Sequence, residues 1–431
     1  MHNSFPGTVA ALPYSKRNEV SRIWLSKPGL LCCAGNSPAA FFEAALLGSR
    51  IGSVTADRVG PSSGGRNFLA GCIADSDLPP GTPAVYTPEN RTFRIADAAL
   101  EQIRGTVEQA RAVYGSCRIG VCAGSCDNGS EGSLLAHNAY YAKGAFPTDY
   151  NLRFQSASFT AEYIARTLSV SGPACTVSTA CASSAGAIVK AAQLIRSGIC
   201  DAVIAGGVDI ASETVLLGFD SLEAVSDSVC NPFSKNRKGI TLGEGAAFFV
   251  MSKEPLESGG SGIELLGYGE SADAFHMTAP CADGSGAVRA MREALSKAGK
   301  KPGDVDYVNL HGTGTFLNDS MEAKAMAAVF PVSPLVSSTK PITGHTLGAA
   351  GALELALCWM ALYAAAHTAE GKGRAPVHCW DGVPDEALPV LHFVGKENGA
   401  QKLRICMSNS FAFGGCNTSL IIGVGQGPEE D

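Results

Sequence analysis

From Ala174 onward the chain alternates short apolar runs with helix-like stretches, and after a glycine-rich link at Glu257 to Gly262 the alternation starts again. In the first series Ala174 to Ser178 reads as a buried strand, Ser183 to Arg196 as a helix with small residues on one side, and Asp201 to Val208 and Ala246 to Ser252 as strands. The second runs through strands at Ile263 to Gly267, Val305 to Leu310 and Leu335 to Ser338, helices at Gly286 to Ala298, Asp319 to Val329 and Thr346 to Ala364, and strands at Arg404 to Ser408 and Thr418 to Val424. Strands separated by helices specify an α/β fold with a largely parallel sheet. Two such series predict two similar halves, 28–260 and 261–431, behind an extension over 1–27. Earlier in the chain, Gly29 to Ala34 and Arg118 to Ala123 read as strands, Pro38 to Leu47 as a helix and 55–95 as loops. Residues 125–155 read as an excursion lining a subunit interface.

Composition narrows the class. Of 431 residues, 45% are hydrophobic and 17% charged, which fits a large core or a large buried interface. Lys plus Arg total 33 against 40 for Asp plus Glu, and no basic tract stands out, so nucleic-acid binding is not expected. The 15 cysteines are scattered, with no CxxC pair and no zinc-ligand spacing, so they read as a reduced intracellular set and no metal site is expected. The first 27 residues hold no continuous apolar stretch, and no secretory signal is expected there. Leu347 to Ala366 comes closest to a membrane span, but Glu354 interrupts it, and it reads as a buried core helix.

Four segments carry chemistry. Val177-Ser178-Thr179-Ala180-Cys181-Ala182-Ser183-Ser184 is a strand end followed by a cysteine that opens a helix, where free amides and the helix dipole favour thiolate and predict a depressed thiol pKa. The alternative there is a buried structural cysteine. His311-Gly312-Thr313-Gly314-Thr315 also follows a strand, which puts His311 at the sheet rim where α/β sites form, and Asp319 and Glu322 follow it. Lys340 and Gly344-His345 precede a glycine- and alanine-rich helix, whose positive end favours a neutral imidazole. Asn409-Ser410-Phe411-Ala412-Phe413-Gly414-Gly415-Cys416-Asn417 places glycines beside aromatics between two strands. A thiol at a helix start with two histidines at strand ends is the pattern of thiol-based acyl transfer.

These segments, with Gly243-Glu244-Gly245-Ala246, resemble the elongating β-ketoacyl-acyl-carrier-protein synthases, and the similarity runs from about Gly29 to about Val424. The resemblance implies a thiolase fold, five α-β-α-β-α layers with two halves related by a pseudo-twofold. It implies an acyltransferase with Cys181 as nucleophile and His311 and His345 as the pair that supports decarboxylation. Lys340 and Glu322 become an ion pair orienting the second histidine. Thr313 and Thr315 would bind a pantetheine arm, and Phe413 would be a gate whose N–H joins that of Cys181 in an oxyanion hole. It further implies cytoplasmic decarboxylative condensation with a malonyl thioester, without metal or organic cofactor, in fatty-acid or polyketide biosynthesis. The partners would be an acyl carrier protein and a second subunit, identical or a paralogue. The alternative is a non-catalytic partner subunit that shapes a tunnel in a heterodimer. Degradative thiolases use a second catalytic cysteine, and Cys416 sits instead inside the Phe-Gly-Gly-Cys-Asn loop. The sequence departs from the family at Phe316, where proline is usual, and at Pro232-Phe233-Ser234-Lys235-Asn236-Arg237-Lys238-Gly239, where two acids are lost. Lys235, Arg237 and Lys238 then form a candidate docking patch for an acidic carrier, and the departures lean toward a specialised pathway such as polyene or aryl-polyene assembly.

Overall fold

Burial on both faces turns the apolar runs into the strands of two stacked half-sheets. The structure, a computed structural model, describes residues 22–50, 67–80, 90–127, 129–148, 150–256 and 262–425. Most of the expected extension, the link at 257–261 and much of the loop region over 55–95 lie outside these. The main sheet contains twelve strands: β1 (Trp24–Leu25), β2 (Gly29–Cys32), β3 (Ile119–Gly124), β4 (Ala174–Val177), β5 (Ala202–Asp209), β6 (Gly245–Ser252), β7 (Ile263–Ala272), β8 (Tyr307–Asn309), β9 (Leu335–Ser337), β10 (His392–Phe393), β11 (Ile405–Phe411) and β12 (Cys416–Val424).

The two halves repeat one another strand for strand. In the first, β4, β3, β5, β6 and β2 lie in that order, with two parallel pairings followed by two antiparallel ones. In the second, β9, β8, β11, β12 and β7 lie in the same relative order with the same sequence of pairings, and β10 adds a parallel edge beyond β9. Trp24 and Leu25, read from sequence as part of an extension, belong instead to the sheet: Trp24 pairs with Ser252 of β6 and Glu264 of β7 and bridges the halves.

The helices are α1 (Pro38–Leu47), α2 (Arg91–Tyr114), α3 (Ser130–Lys143), α4 (Phe159–Thr167), α5 (Ser183–Arg196), α6 (Glu213–Ser221), α7 (Ser285–Ala298), α8 (Phe316–Val329), the single turn α9 (Lys340–Thr343) and α10 (Ala350–Ala366). α5 and α10 touch each other and strands of both halves; α2 and α4 cover the first half-sheet, and α7 and α8 the second. This gives the five α-β-α-β-α layers. α5 and α10 occupy equivalent places, one between β4 and β5, the other between β9 and β11. Because α10 is enclosed by both sheets, it is apolar nearly all round, and Glu354 is its only charged residue. It accounts for most of the stretch Leu347–Ala366 that is long and apolar enough to cross a membrane.

Two readings need correction. β4 is exposed to half-buried rather than buried, because it is the edge of its half-sheet and pairs only with β3. Residues 91–95 are not loop but the start of the 24-residue α2, capped by Asn90, whose Oδ1 accepts the Phe93 N–H at 3.4 Å.

Trp359 of α10 is 1% exposed, stacks on Tyr363 at 4.9 Å and donates its indole N–H to the Leu25 carbonyl at 3.3 Å, tying the central layer to β1. Trp359→Ala is expected to cost about 3–5 kcal/mol, measured as a lowered midpoint in denaturant unfolding at unchanged slope.

Candidate active site

The site lies where the carboxyl ends of β4, β8, β9 and β11 meet. Cys181 sits between β4 and α5 in a turn whose preceding residue, Ala180, has a φ of 48°. That left-handed backbone is held from both sides: Ser183 Oγ accepts the Thr179 N–H at 2.9 Å and donates to the Ala180 carbonyl at 2.6 Å. The turn aims the Cys181 sulfur away from the helix, toward the second half.

There the thiol meets both imidazoles. His345 Nε2 lies 3.0 Å from Cys181 Sγ, the two histidine rings are 5.4 Å apart at 83°, and one donor atom from each of the three residues falls within 4.8 Å of the others. The backbone N–H groups of Phe413 and of Cys181 itself favour the ionised sulfur. Cys181 is 4% exposed, and burial pushes its thiol up to about 11, with the Lys340 charge and these N–H donors offsetting only part of the cost. The sequence-based expectation of a depressed thiol is therefore reversed, because loss of solvent outweighs the helix end. Burial also holds both imidazoles well below the usual histidine range, with the Lys340 charge acting in the same direction. The resting trio is a thiol and two neutral rings.

Lys340 is 1% exposed. Its ammonium donates to Glu354 Oε1 at 2.5 Å and to the His311 carbonyl, and it lies 3.5 Å from His311 Nδ1. A cation facing Nδ1 makes that nitrogen the acceptor and leaves the ring proton on Nε2. Two expectations change. The partner of Lys340 is Glu354, not Glu322, and the histidine it contacts is His311, not His345. Glu322 instead accepts the backbone N–H groups of His311 at 2.8 Å and Gly312 at 2.7 Å, fixing the turn after β8, while burial raises its carboxyl to about 8.

Sequence reasoning missed Glu354 as a site residue, although an acid inside an apolar helix was its visible signal. It also missed Asp209 at the end of β5, fully buried, which accepts N–H groups from Cys126 at 3.0 Å, Asp127 at 3.1 Å and Gly348 at 2.6 Å. This carboxylate clamps the loop after β3 to the turn before α10; a Cβ on Gly348 would come within 2.5 Å of it.

A narrow cavity of about 30 Å³ opens in front of the trio, lined by Thr313, Thr315, Asn318, Phe411 and Phe413 among others. The Thr313 and Thr315 hydroxyls lie 3.0 Å apart, and Phe413 is half-buried and stacks on Phe219 at 5.5 Å. The proposed basic patch is not brought together as such. Lys235 and Lys238 are exposed, but Arg237 is buried, paired with Asp385 at 2.6 Å and stacked over Phe316 at 4.7 Å. The unusual Phe316 is thus the platform for Arg237, a packing role that withdraws this charge from docking.

A duplicated five-layer frame with a cysteine between its halves defines the thiolase-fold class. Residues 87–255 match the family "Beta-ketoacyl synthase, N-terminal domain" and residues 263–369 match "Beta-ketoacyl synthase, C-terminal domain". The chain is 34% identical over 319 residues to 3-oxoacyl-[acyl-carrier-protein] synthase 2 of Staphylococcus aureus, covering 70% of this chain and 74% of that one. It is 40% identical over 264 residues to Nodulation protein E of Rhizobium meliloti, covering 60% of this chain and 63% of that protein's length. The solved structure "Ketosynthase (ApeO) in Complex with its Chain Length Factor (ApeC) from Xenorhabdus doucetiae" superposes with a TM-score of 0.83 at 39% identity, over 94% of this chain and 98% of that one. The chain belongs to the β-ketoacyl synthase family.

With the thiol raised to about 11, the alkylation rate of Cys181 by iodoacetamide should climb about tenfold per pH unit from pH 6 to 9 without a plateau. Peptide mass spectrometry would follow it, and a plateau reached by pH 8 would mean a depressed thiol.

Proposed function

We propose that the protein condenses an acyl group held on Cys181 with a malonyl thioester carried by an acyl carrier protein, releasing CO₂ and a β-ketoacyl thioester. The observation that carries this reading is the 3.0 Å approach of Cys181 Sγ to His345 Nε2, with His311 beside it. The first half, to about residue 260, supplies the nucleophile, and the second supplies both imidazoles.

The residues divide the work as follows. His345 Nε2 takes the thiol proton as sulfur attacks the incoming thioester; the Cys181 S–C bond forms, the carrier S–C bond breaks, and the proton goes to the departing thiol. The N–H groups of Cys181 and Phe413 stabilise the oxyanion. Once the sulfur is acylated it no longer donates, and His345 presents an N–H in its other tautomer. His311, whose proton Lys340 keeps on Nε2, joins it at the malonyl thioester carbonyl. Two neutral donors stabilise the enolate that forms as CO₂ leaves, without protonating its carbon. That carbon attacks the acyl group, the Cys181 S–C bond breaks, and water returns a proton to the sulfur through His345. The balance needs no metal or organic cofactor. Thr313 and Thr315 border the passage for the carrier arm.

A paired subunit is part of the same reading. β4 is a half-exposed edge with no strand on its outer side among the described residues, and α3 with the turn after it exposes Leu135, Tyr141 and Phe146. The relative from Xenorhabdus doucetiae is described as a complex with a chain length factor, and this chain is read as the catalytic member of a like pair or of a homodimer, in fatty-acid or polyketide (including polyene) assembly in the cytoplasm. A purely tunnel-shaping role is disfavoured because the thiol and both rings are in contact.

Intact-mass analysis with an acyl-carrier thioester is expected to show one acyl adduct in the wild type and none in Cys181→Ala. His311→Ala should keep the adduct but lose condensation by about 10²–10³, the usual size of one lost oxyanion donor. An adduct elsewhere than Cys181, or condensation unchanged in His311→Ala, would contradict the assignment.

A further inference from the structure

The cavity facing Cys181 contains a polar group that the chemistry above leaves unused. Asn318, in the first turn of α8, is 9% exposed, and its side-chain Nδ2 has no hydrogen-bond partner among the described residues. Its neighbours are already engaged: Asp319 accepts the Phe233 N–H at 2.7 Å and the Gly314 N–H at 3.1 Å, and the Thr313 and Thr315 hydroxyls bond each other. A buried amide donor is normally satisfied, so one left open in the cavity that also holds the Cys181 thiol marks a place a ligand completes.

The cavity's composition selects the ligand atom. Among the described residues that line it, Asp273 is the only acid and there is no lysine or arginine. Asp273 itself is engaged, accepting Asn417 Nδ2 at 2.7 Å and the Cys281 N–H at 3.0 Å. A neutral carbonyl oxygen entering here needs only a donor, and the Asn318 amide can supply one.

We infer that Asn318 Nδ2 donates a hydrogen bond to an amide carbonyl of the pantetheine arm that carries the substrate thioester. Asn318 is then a positioning residue that sets how far the thioester reaches toward Cys181, and this role rests on the condensation reading above.

The test compares malonyl and acyl thioesters of pantetheine with those of ethanethiol, which has no amide. Removing the donor with Asn318→Leu should raise KM for the pantetheine thioester roughly 3- to 10-fold, with kcat within twofold, and leave the ethyl thioester unaffected. Asn318→Asp, which turns the donor into an acceptor, should weaken pantetheine thioesters at least as much. Thermal melting identifies a misfolded variant, and Asn318→Ala then carries the same comparison. Equal changes for both thioesters, or no change for either, overturn the inference while leaving condensation intact. A wild-type protein that acylates and condenses neither thioester overturns the condensation reading, and the role of Asn318 with it.

Discussion

A lysine with almost no solvent contact anchors the site. Lys340 is held between the Glu354 carboxylate and the His311 carbonyl, and each contact depends on a different part of the fold. Glu354 belongs to the helix enclosed by both half-sheets, where a lone carboxylate would be costly to desolvate, and burial does raise its pKa against the pull of Lys340. His311 belongs to the loop after β8, which Glu322 holds through two backbone N–H groups. Removing either member of such a pair typically costs about 3–5 kcal/mol, because the other charge is left buried and alone. The pair locks the central layer to the second half-sheet and, through the charge facing Nδ1, decides where the His311 proton sits.

Duplication explains how the rest is assembled. Equivalent strands in the two halves, β4 and β9, each end in a loop that leads to a central helix, and these loops deliver Cys181 and His345 from opposite sides to one point. Neither half contains a site by itself. The crevice between them is deeply buried, which raises the thiol and lowers the imidazoles together, so the resting site carries no charge on the reacting groups. Chemistry then proceeds by passing one proton between Cys181 and His345, and by donors placed in advance where negative charge develops.

Much of this was legible in the chain. α1 and α5 occupy the spans that their apolar spacing predicts, and Cys181, His311 and His345 converge because residues at the ends of parallel strands face one crevice. What was not legible depended on neighbours. β4 is apolar and reads as buried, yet its exposure follows from being an edge, which no local pattern records. Lys340 is paired by resemblance with Glu322 until Glu354, fourteen residues on, is folded back beside it. Arg237 reads as available charge until Phe316 and Asp385 enclose it. The direction of the Cys181 shift was misjudged because a helix end is visible in sequence and the depth of burial is not.

The central claim is a neutral trio in which Lys340 dictates the His311 tautomer. ¹⁵N-imidazole NMR of histidine-labelled protein tests it directly, since the chain has eight histidines and His311→Ala and His345→Ala variants identify two of them. Neither signal should titrate between about pH 5.5 and 9, and His311 should carry its proton on Nε2 with Nδ1 bare. Titration of either ring near its ordinary value of about 6.5, or a His311 proton on Nδ1, would contradict it.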